Sequence, residues 1–281
     1  MYFRPKSLQD ALNVLADTRA TILAGGTDVF PALGDRPLSG PVLDISGLPE
    51  IKGIQFTAEH VVFGARTTWT EVLAASLPRG FDGLKAAARE VGSVQIQNAA
   101  TIAGNLCNAS PAADGVAALL ALDAELVLTS RNSSRPLPLS EFILGNRKTA
   151  RRPDELLTSV RVPRRVENAA STFLKLGARR YLVISIVMVA ANLVVDPSGE
   201  ILEALICVGS CSAAALRLAE LERALVGQPL GPGLAQILKA EHLAWLSPID
   251  DVRATAEYRR DAALTLVRRA LEACVQKAVA A

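Results

Sequence analysis

Near the N-terminus the apolar positions change period several times. Leu8, Ala11, Leu12, Leu15 and Ala16 recur at helical spacing and form one apolar face. Ser7 stands just ahead of that run with Asp10 three residues on, a capping box in which Asp replaces Glu or Gln. The pattern predicts a helix ending near Asp17-Thr18. Ala20 to Ala24 then reads as a short buried strand stopped by Gly25-Gly26. Pro31, Gly34, Pro37, Gly40 and Pro41 mark loops, followed by a strand at Val42 to Ile45. Val61 to Gly64 is a further strand. A helix is expected after Thr68, through Glu71-Val72-Leu73, and another from Phe81 to Val91. The Gly- and Asn-rich stretch from Gly92 to Gly115 reads as irregular. Ala117 to Leu122 looks helical and Ala124 to Thr129 strand-like. Leu156 to Val162 alternates loosely and ends at Pro163, which suggests a strand at a domain edge.

Arg164 to Ala170 is polar and without period, and is the best candidate for a domain boundary. Beyond it Thr172 to Leu176, Tyr181 to Val195 and Ile201 to Val208 all read as strands. The turn Asp196-Pro197-Ser198-Gly199 joins the last two as a hairpin. Tyr181 to Val195 is the longest apolar stretch, shorter than the roughly 20 residues a helix needs to cross a bilayer. Its Val and Ile content favours a buried strand. Ala213 to Ala281 is mostly helical by composition and spacing. A chain of 281 residues suits two domains.

Composition narrows the chemistry. A formal charge of +2 gives no electrostatic footprint for nucleic acid. Met1 to Lys6 contains no apolar core of a secretory signal, so a cytoplasmic protein is expected. Cys107, Cys207, Cys211 and Cys274 form no CxxC pair, and His60 and His242 are the two histidines. Zinc and iron–sulfur sites need several such ligands at close spacing. Cys207 and Cys211 therefore read as small buried hydrophobes, and the histidines as structural or exposed. Any redox carrier must then be organic or belong to a partner.

Two segments stand out as candidate ligand loops. Leu23-Ala24-Gly25-Gly26-Thr27-Asp28-Val29 runs from a strand into two glycines and a hydroxyl residue. Glycines there let consecutive N–H groups approach an anion, and Thr27 adds a donor without bulk. Hydrogen bonds to a charged acceptor are worth about 1.5–3 kcal/mol each, so a few hold a pyrophosphate without a lysine. Thr101-Ile102-Ala103-Gly104-Asn105-Leu106, continuing through Asn108-Ala109-Ser110-Pro111 to Asp114, is rich in small and short polar residues. It suits a neutral-walled slot in which Asp114 accepts from a ribose hydroxyl. Neither GxGxxG after a strand nor GxxxxGK[ST] occurs. Residue chemistry alone thus reaches two candidate anion loops in a protein of mixed helix and strand.

Together the two segments resemble the paired FAD loops of the flavoprotein subunits of molybdenum hydroxylases, the xanthine dehydrogenase and carbon-monoxide dehydrogenase family. Ala24-Gly25-Gly26-Thr27-Asp28 matches that family's AGGT[DN] loop. Thr101 to Asn105, with Ala109-Ser110-Pro111 and Asp114, matches its T-x-G-G-N loop and A-S-P-x-x-D. Gly92-Ser93 through Asn98 resembles the lead-in G-S-x-Q-I-R-N, with Gln97 for Arg. Leu156 to Pro163 and Phe173-Leu174-Lys175 resemble two of its strands, and Val208-Gly209 with Arg217 a further region. Asp251 to Arg260 is close to D-x-R-[AG]-[ST]-A-x-Y-R-R. Two departures stand out. Ala103 replaces a glycine, and Arg179 to Ser185 replaces R-x-x-D-[IL]-A, without its Asp.

The resemblance implies an α+β fold: a two-lobed FAD-binding domain of the PCMH type over 1–165, with lobes of about 1–55 and 56–165. A smaller domain over 170–281, of antiparallel sheet plus helices, would follow. It implies that Ile22, Leu23, Ala24, Gly25, Gly26, Thr27, Asp28 and Val29 wrap the FAD pyrophosphate. Thr101, Ala103, Gly104 and Asn105 would hold it from the other side and Asp114 would contact the ribose. Leu157 would lie near the isoalloxazine, and Lys175 would place positive charge at its edge. The implied function is electron transfer within a complex, which needs no catalytic acid–base pair or nucleophilic triad, and none is found in the sequence. A small subunit with two [2Fe–2S] clusters would deliver electrons from a large molybdenum-cofactor subunit, in a dimer of heterotrimers. The FAD would pass them to NAD, a quinone or O2. Two other readings remain: a stand-alone FAD-dependent reductase, and a scaffold subunit that has lost FAD, with Ala103 as its signature.

Overall fold

A computed structural model of the protein describes residues 1–279. The first layer is a three-stranded parallel sheet with order β1-β3-β2. It contains β1 (Tyr2–Phe3), β2 (Thr21–Leu23) and β3 (Val42–Asp44). Helix α1 (Leu8–Asp17) starts where expected, with the Ser7 hydroxyl accepting from the Asp10 N–H, and buries Ala11, Leu12 and Leu15. A short helix α2 (Val29–Leu33) occupies ground read as loop. Pro31 lies in its first turn, where no helical N–H is needed.

The second layer begins with β4 (Ile54–Phe56) and β5 (His60–Gly64). Helix α3 (Trp69–Ala74) opens on a capping box between Thr68 and Glu71, and α4 (Asp82–Glu90) follows. The stretch read as irregular is mostly helical: α5 (Val94–Ala99), α6 (Ile102–Asn108) and the start of α7 (Asp114–Leu120). Ser93 and Thr101 cap α5 and α6. Next come β6 (Glu125–Thr129), β7 (Ser134–Pro138), α8 (Leu139–Phe142), the small hairpin β8 (Ile143–Gly145) and β9 (Lys148–Thr149), and β10 (Leu156–Pro163). The five-stranded antiparallel sheet has order β4-β5-β10-β6-β7, so β10 lies at its centre and not at an edge. Pro163 is tolerated because it is the last residue of the strand.

The third layer is an antiparallel sheet of order β11-β12-β13-β14, from β11 (Ala170–Leu176), β12 (Val187–Val195), β13 (Ile201–Gly209) and β14 (Leu216–Arg217). Its central hairpin turns at 196–199, where Gly199 has φ +87°. The strand expected from Tyr181 begins only at Val187. Tyr181, Leu182 and Ile184 are exposed, and Leu182 has φ +50°, which breaks an extended run. The C-terminal portion is less helical than its composition suggests. Between α9 (Ala219–Leu225) and α10 (Ala256–Val279) the chain runs through turns and short 3-10 segments. Ala280 and Ala281, included in that expectation, lie outside the described residues. Cys207, Cys211 and Cys274 are buried as small hydrophobes.

Candidate functional site

Strand β2 delivers the first glycine segment to the C-terminal end of the parallel sheet. Four consecutive backbone N–H groups, those of Gly25, Gly26, Thr27 and Asp28, have no protein acceptor among the described residues. Gly26 has φ +71°, the left-handed turn that suits a run of consecutive N–H groups to an anion. A Cβ on Gly25 would stand 1.9 Å from the Ala99 carbonyl oxygen, so backbone meets backbone there. Beside Gly26, the Phe30 ring is half exposed.

The second segment is a different device. Its N–H groups are committed: Ile102 donates to the Thr67 carbonyl, Ala103 to that of Ala65 and Asn105 to that of Thr101. The Gly104 N–H donates to the Thr101 hydroxyl at 3.0 Å. What this segment presents is side chains. The Asn105 Oδ1 atom is buried and has no donor among the described residues. Ala103 sits inside α6 with helical backbone, so its methyl imposes no strain where a glycine is usual. The two segments are clasped directly. The Asn108 side chain donates to Asp28 at 2.9 Å and accepts from Arg147 at 3.1 Å.

Asp114 opens α7 and is 6% exposed. Its Oδ2 accepts from the Lys175 Nζ at 2.7 Å, and its Oδ1 from the Ser185 hydroxyl at 2.9 Å. Lys175, on β11, is no surface lysine: it also donates to the Glu90 carbonyl at 3.3 Å and is nearly enclosed. Burial pushes the Asp114 carboxyl up to about 6, against the lowering influence of Lys175 and Ser185. A carboxylate offers about four acceptor positions, so two remain for a ligand hydroxyl. Leu157 lies on central strand β10 at 2% exposure, inside the main core.

Ile22, Leu23, Ala24 and Val29 flank the first loop, on β2 and at the start of α2. Four free backbone amides on the first segment, with the unpartnered Asn105 amide oxygen and the buried Asp114 carboxylate on the second, are the donors and acceptors that a phosphate- and sugar-bearing ligand such as FAD requires. Sequence reasoning missed Ser185 as a site residue. It lies 71 positions from Asp114, in a segment read as strand.

The chain is similar to known proteins over nearly its whole length. Residues 1–165 match the family described as the FAD binding domain in molybdopterin dehydrogenase, and residues 172–274 the CO dehydrogenase flavoprotein C-terminal domain. The nicotinate dehydrogenase FAD-subunit of Eubacterium barkeri is 35% identical over 237 residues, covering 82% of this chain and 80% of its own. The xanthine dehydrogenase FAD-binding subunit of Escherichia coli O157:H7 is 31% identical over 287 residues, covering 100% and 96%. A solved carbon monoxide dehydrogenase from Hydrogenophaga pseudoflava gives a TM-score of 0.90 at 27% identity, covering 98% of this chain and 97% of its own.

Proposed function

The chain belongs to the FAD-binding family of molybdopterin dehydrogenases, and from that premise we propose that it is the electron-transfer subunit of a molybdenum hydroxylase complex in the cytoplasm. A small subunit with two [2Fe–2S] clusters delivers electrons from a large molybdenum-cofactor subunit, in a dimer of heterotrimers. The electrons leave to NAD, a quinone or O2. Relatives named as medium chains and FAD subunits support membership of a multi-subunit complex. The match of residues 172–274 to the flavoprotein C-terminal domain favours it over a stand-alone reductase.

Bound FAD would supply the redox chemistry, while the chain binds and orients it. The Gly25 to Asp28 amides would hold the pyrophosphate, and Thr27 would add a hydroxyl donor. Asn105 would accept from a ligand hydroxyl. Asp114, steadied by Lys175 and Ser185, would take a ribose hydroxyl, and Lys175 would keep positive charge on that side of the site. Leu157 would back the ring end from the core. The observation that carries this reading is the run of four unpartnered amides after β2, clasped against the second segment.

The test is the visible spectrum of the purified chain, with the released cofactor identified after denaturation. About one FAD per chain is expected, together with recovery of the molybdenum and iron–sulfur subunits from cell extracts. A colourless chain that takes up no added FAD would overturn the reading.

A further inference from the structure

The Asp251 to Arg260 segment lies far along the chain from the glycine loops, yet one of its side chains bonds to two positions that adjoin contacts to Asp114 and Pro111. Arg259, in the first turn of α10, is 3% exposed. Its guanidinium donates through one nitrogen to the Ile186 carbonyl at 2.6 Å and the Ser210 carbonyl at 3.2 Å. Its other terminal nitrogen donates to Asp251 Oδ1 at 2.7 Å.

Ile186 and Ser210 bracket the open end of the β12–β13 ladder, whose last pair is Met188 with Gly209. Each of the two clamped positions borders a contact to the site. Ser185, immediately before Ile186, donates to Asp114. The Ser210 N–H donates to the Pro111 carbonyl at 3.0 Å, within the segment that leads into Asp114. Ile186 also closes its own loop, its N–H donating to the carbonyl of Leu176, the neighbour of Lys175. Ser210 holds φ +64°, a conformation that a non-glycine residue keeps only where its surroundings impose it.

We propose that Arg259 is a positioning residue for the flavin site, fixing through the Ile186 and Ser210 carbonyls the placement of Ser185 and Pro111 around Asp114. This rests on the FAD reading above. The fork of a guanidinium suits the task, because it bonds two carbonyls and a carboxylate from one rigid plane, which a lysine cannot reproduce. Asp251 supplies the countercharge. Although burial opposes it, hydrogen bonds from the Arg253 N–H and the Arg259 guanidinium hold its carboxyl at about 2. A buried arginine with an ionised partner is tolerated where an unpaired one is not. Its Nε and the nearby Ser210 hydroxyl lack partners among the described residues, so the two terminal nitrogens alone set its orientation.

The test is a double-mutant cycle on the full chain, reading the FAD dissociation constant well below the unfolding temperature. Arg259→Met and Ser185→Ala should each weaken FAD binding, the arginine change by about tenfold or more. The double variant should be no weaker than Arg259→Met alone, because both act through one contact. Arg259→Lys should recover part of the loss. A merely structural arginine would lower the unfolding temperature of Arg259→Met and Arg259→Lys while leaving FAD affinity within twofold of the parent, and that overturns the proposal. Additive losses in the double variant overturn it too. If Arg259→Met does not fold, Asp251→Asn, which keeps an acceptor but removes the countercharge, must weaken FAD binding or the proposal fails. A parent chain that binds no FAD defeats the function reading, and this inference with it.

Discussion

Ala103 shows how backbone geometry decides what a substitution means. A methyl beside a pyrophosphate would be harmful on a loop with positive φ, but here it lies on the first turn of α6 and is 6% exposed. Ala103→Gly should therefore leave FAD affinity unchanged and destabilise the fold by about 1 kcal/mol, the usual helix penalty of glycine. Tighter FAD binding in that variant, by flavin titration, would show that the methyl does crowd the ligand. Asp114 carries the pH dependence. Its carboxyl rises from an ordinary value of 3.8 to about 6 in the folded chain. The native state then holds more protons than the unfolded state between those values. The associated stability is fully present below about 3.8 and is lost as pH rises through about 6. The change is on the order of 3 kcal/mol at 1.36 kcal/mol per unit. Urea unfolding of the FAD-free chain should show this fall between about pH 4 and pH 7, and Asp114→Asn should lack it. Equal slopes in the two proteins would mean that the Lys175 and Ser185 contacts cancel the effect of burial and leave no net shift.

Elements with a long, uniform pattern were readable from the chain, and those built from tertiary contacts were not. Helix α1 shows its period and its Ser7 cap, and the β12–β13 hairpin shows its turn at 196–199. Helices α5 and α6 have six and seven residues, too few for a period to emerge among Gly and Asn. Their caps, Ser93 and Thr101, were the available signal. Tyr181 to Ile186 is apolar enough to read as strand, but its Ser185 is drawn toward Asp114 and its course follows that contact. The central place of β10 depends on pairing with β5 and β6, which composition does not encode. The glycine segment after β2 was readable because a strand running into Gly-Gly-Thr is a local signal. Its clasp to Ala99 and Asn108, the committed amides of α6, and the reach of Arg259 are all long-range and became visible only with the fold.

The third sheet joins the two halves of the molecule. Along β12 the side chains alternate between two cores. Val187, Val189, Ala191 and Leu193 pack with Leu221, Leu225, Val267 and Leu271 of α9 and α10. Met188 and Ala190 pack into the core that contains Leu84 of α4 and Leu119 of α7. This two-sided burial explains why the strand reads as a continuous apolar run and not an alternating one. Polar contacts cross the same seam: Asn192 donates to the Ala121 carbonyl at 2.8 Å, and the Gly83 N–H to the Ser171 hydroxyl at 3.0 Å. Asp114 on one side is held by Lys175 and Ser185 on the other. Neither half can open without exposing the apolar face of the other, and losing the site. The whole chain should therefore unfold in one cooperative transition, with calorimetric and van't Hoff enthalpies equal. Saturating FAD should raise that transition without splitting it, because the ligand stabilises the state in which both halves are docked. Two resolved transitions, with FAD shifting only the first of them, would mean that the shared sheet is a weak hinge, and would remove the physical basis for coupling α10 to the flavin site.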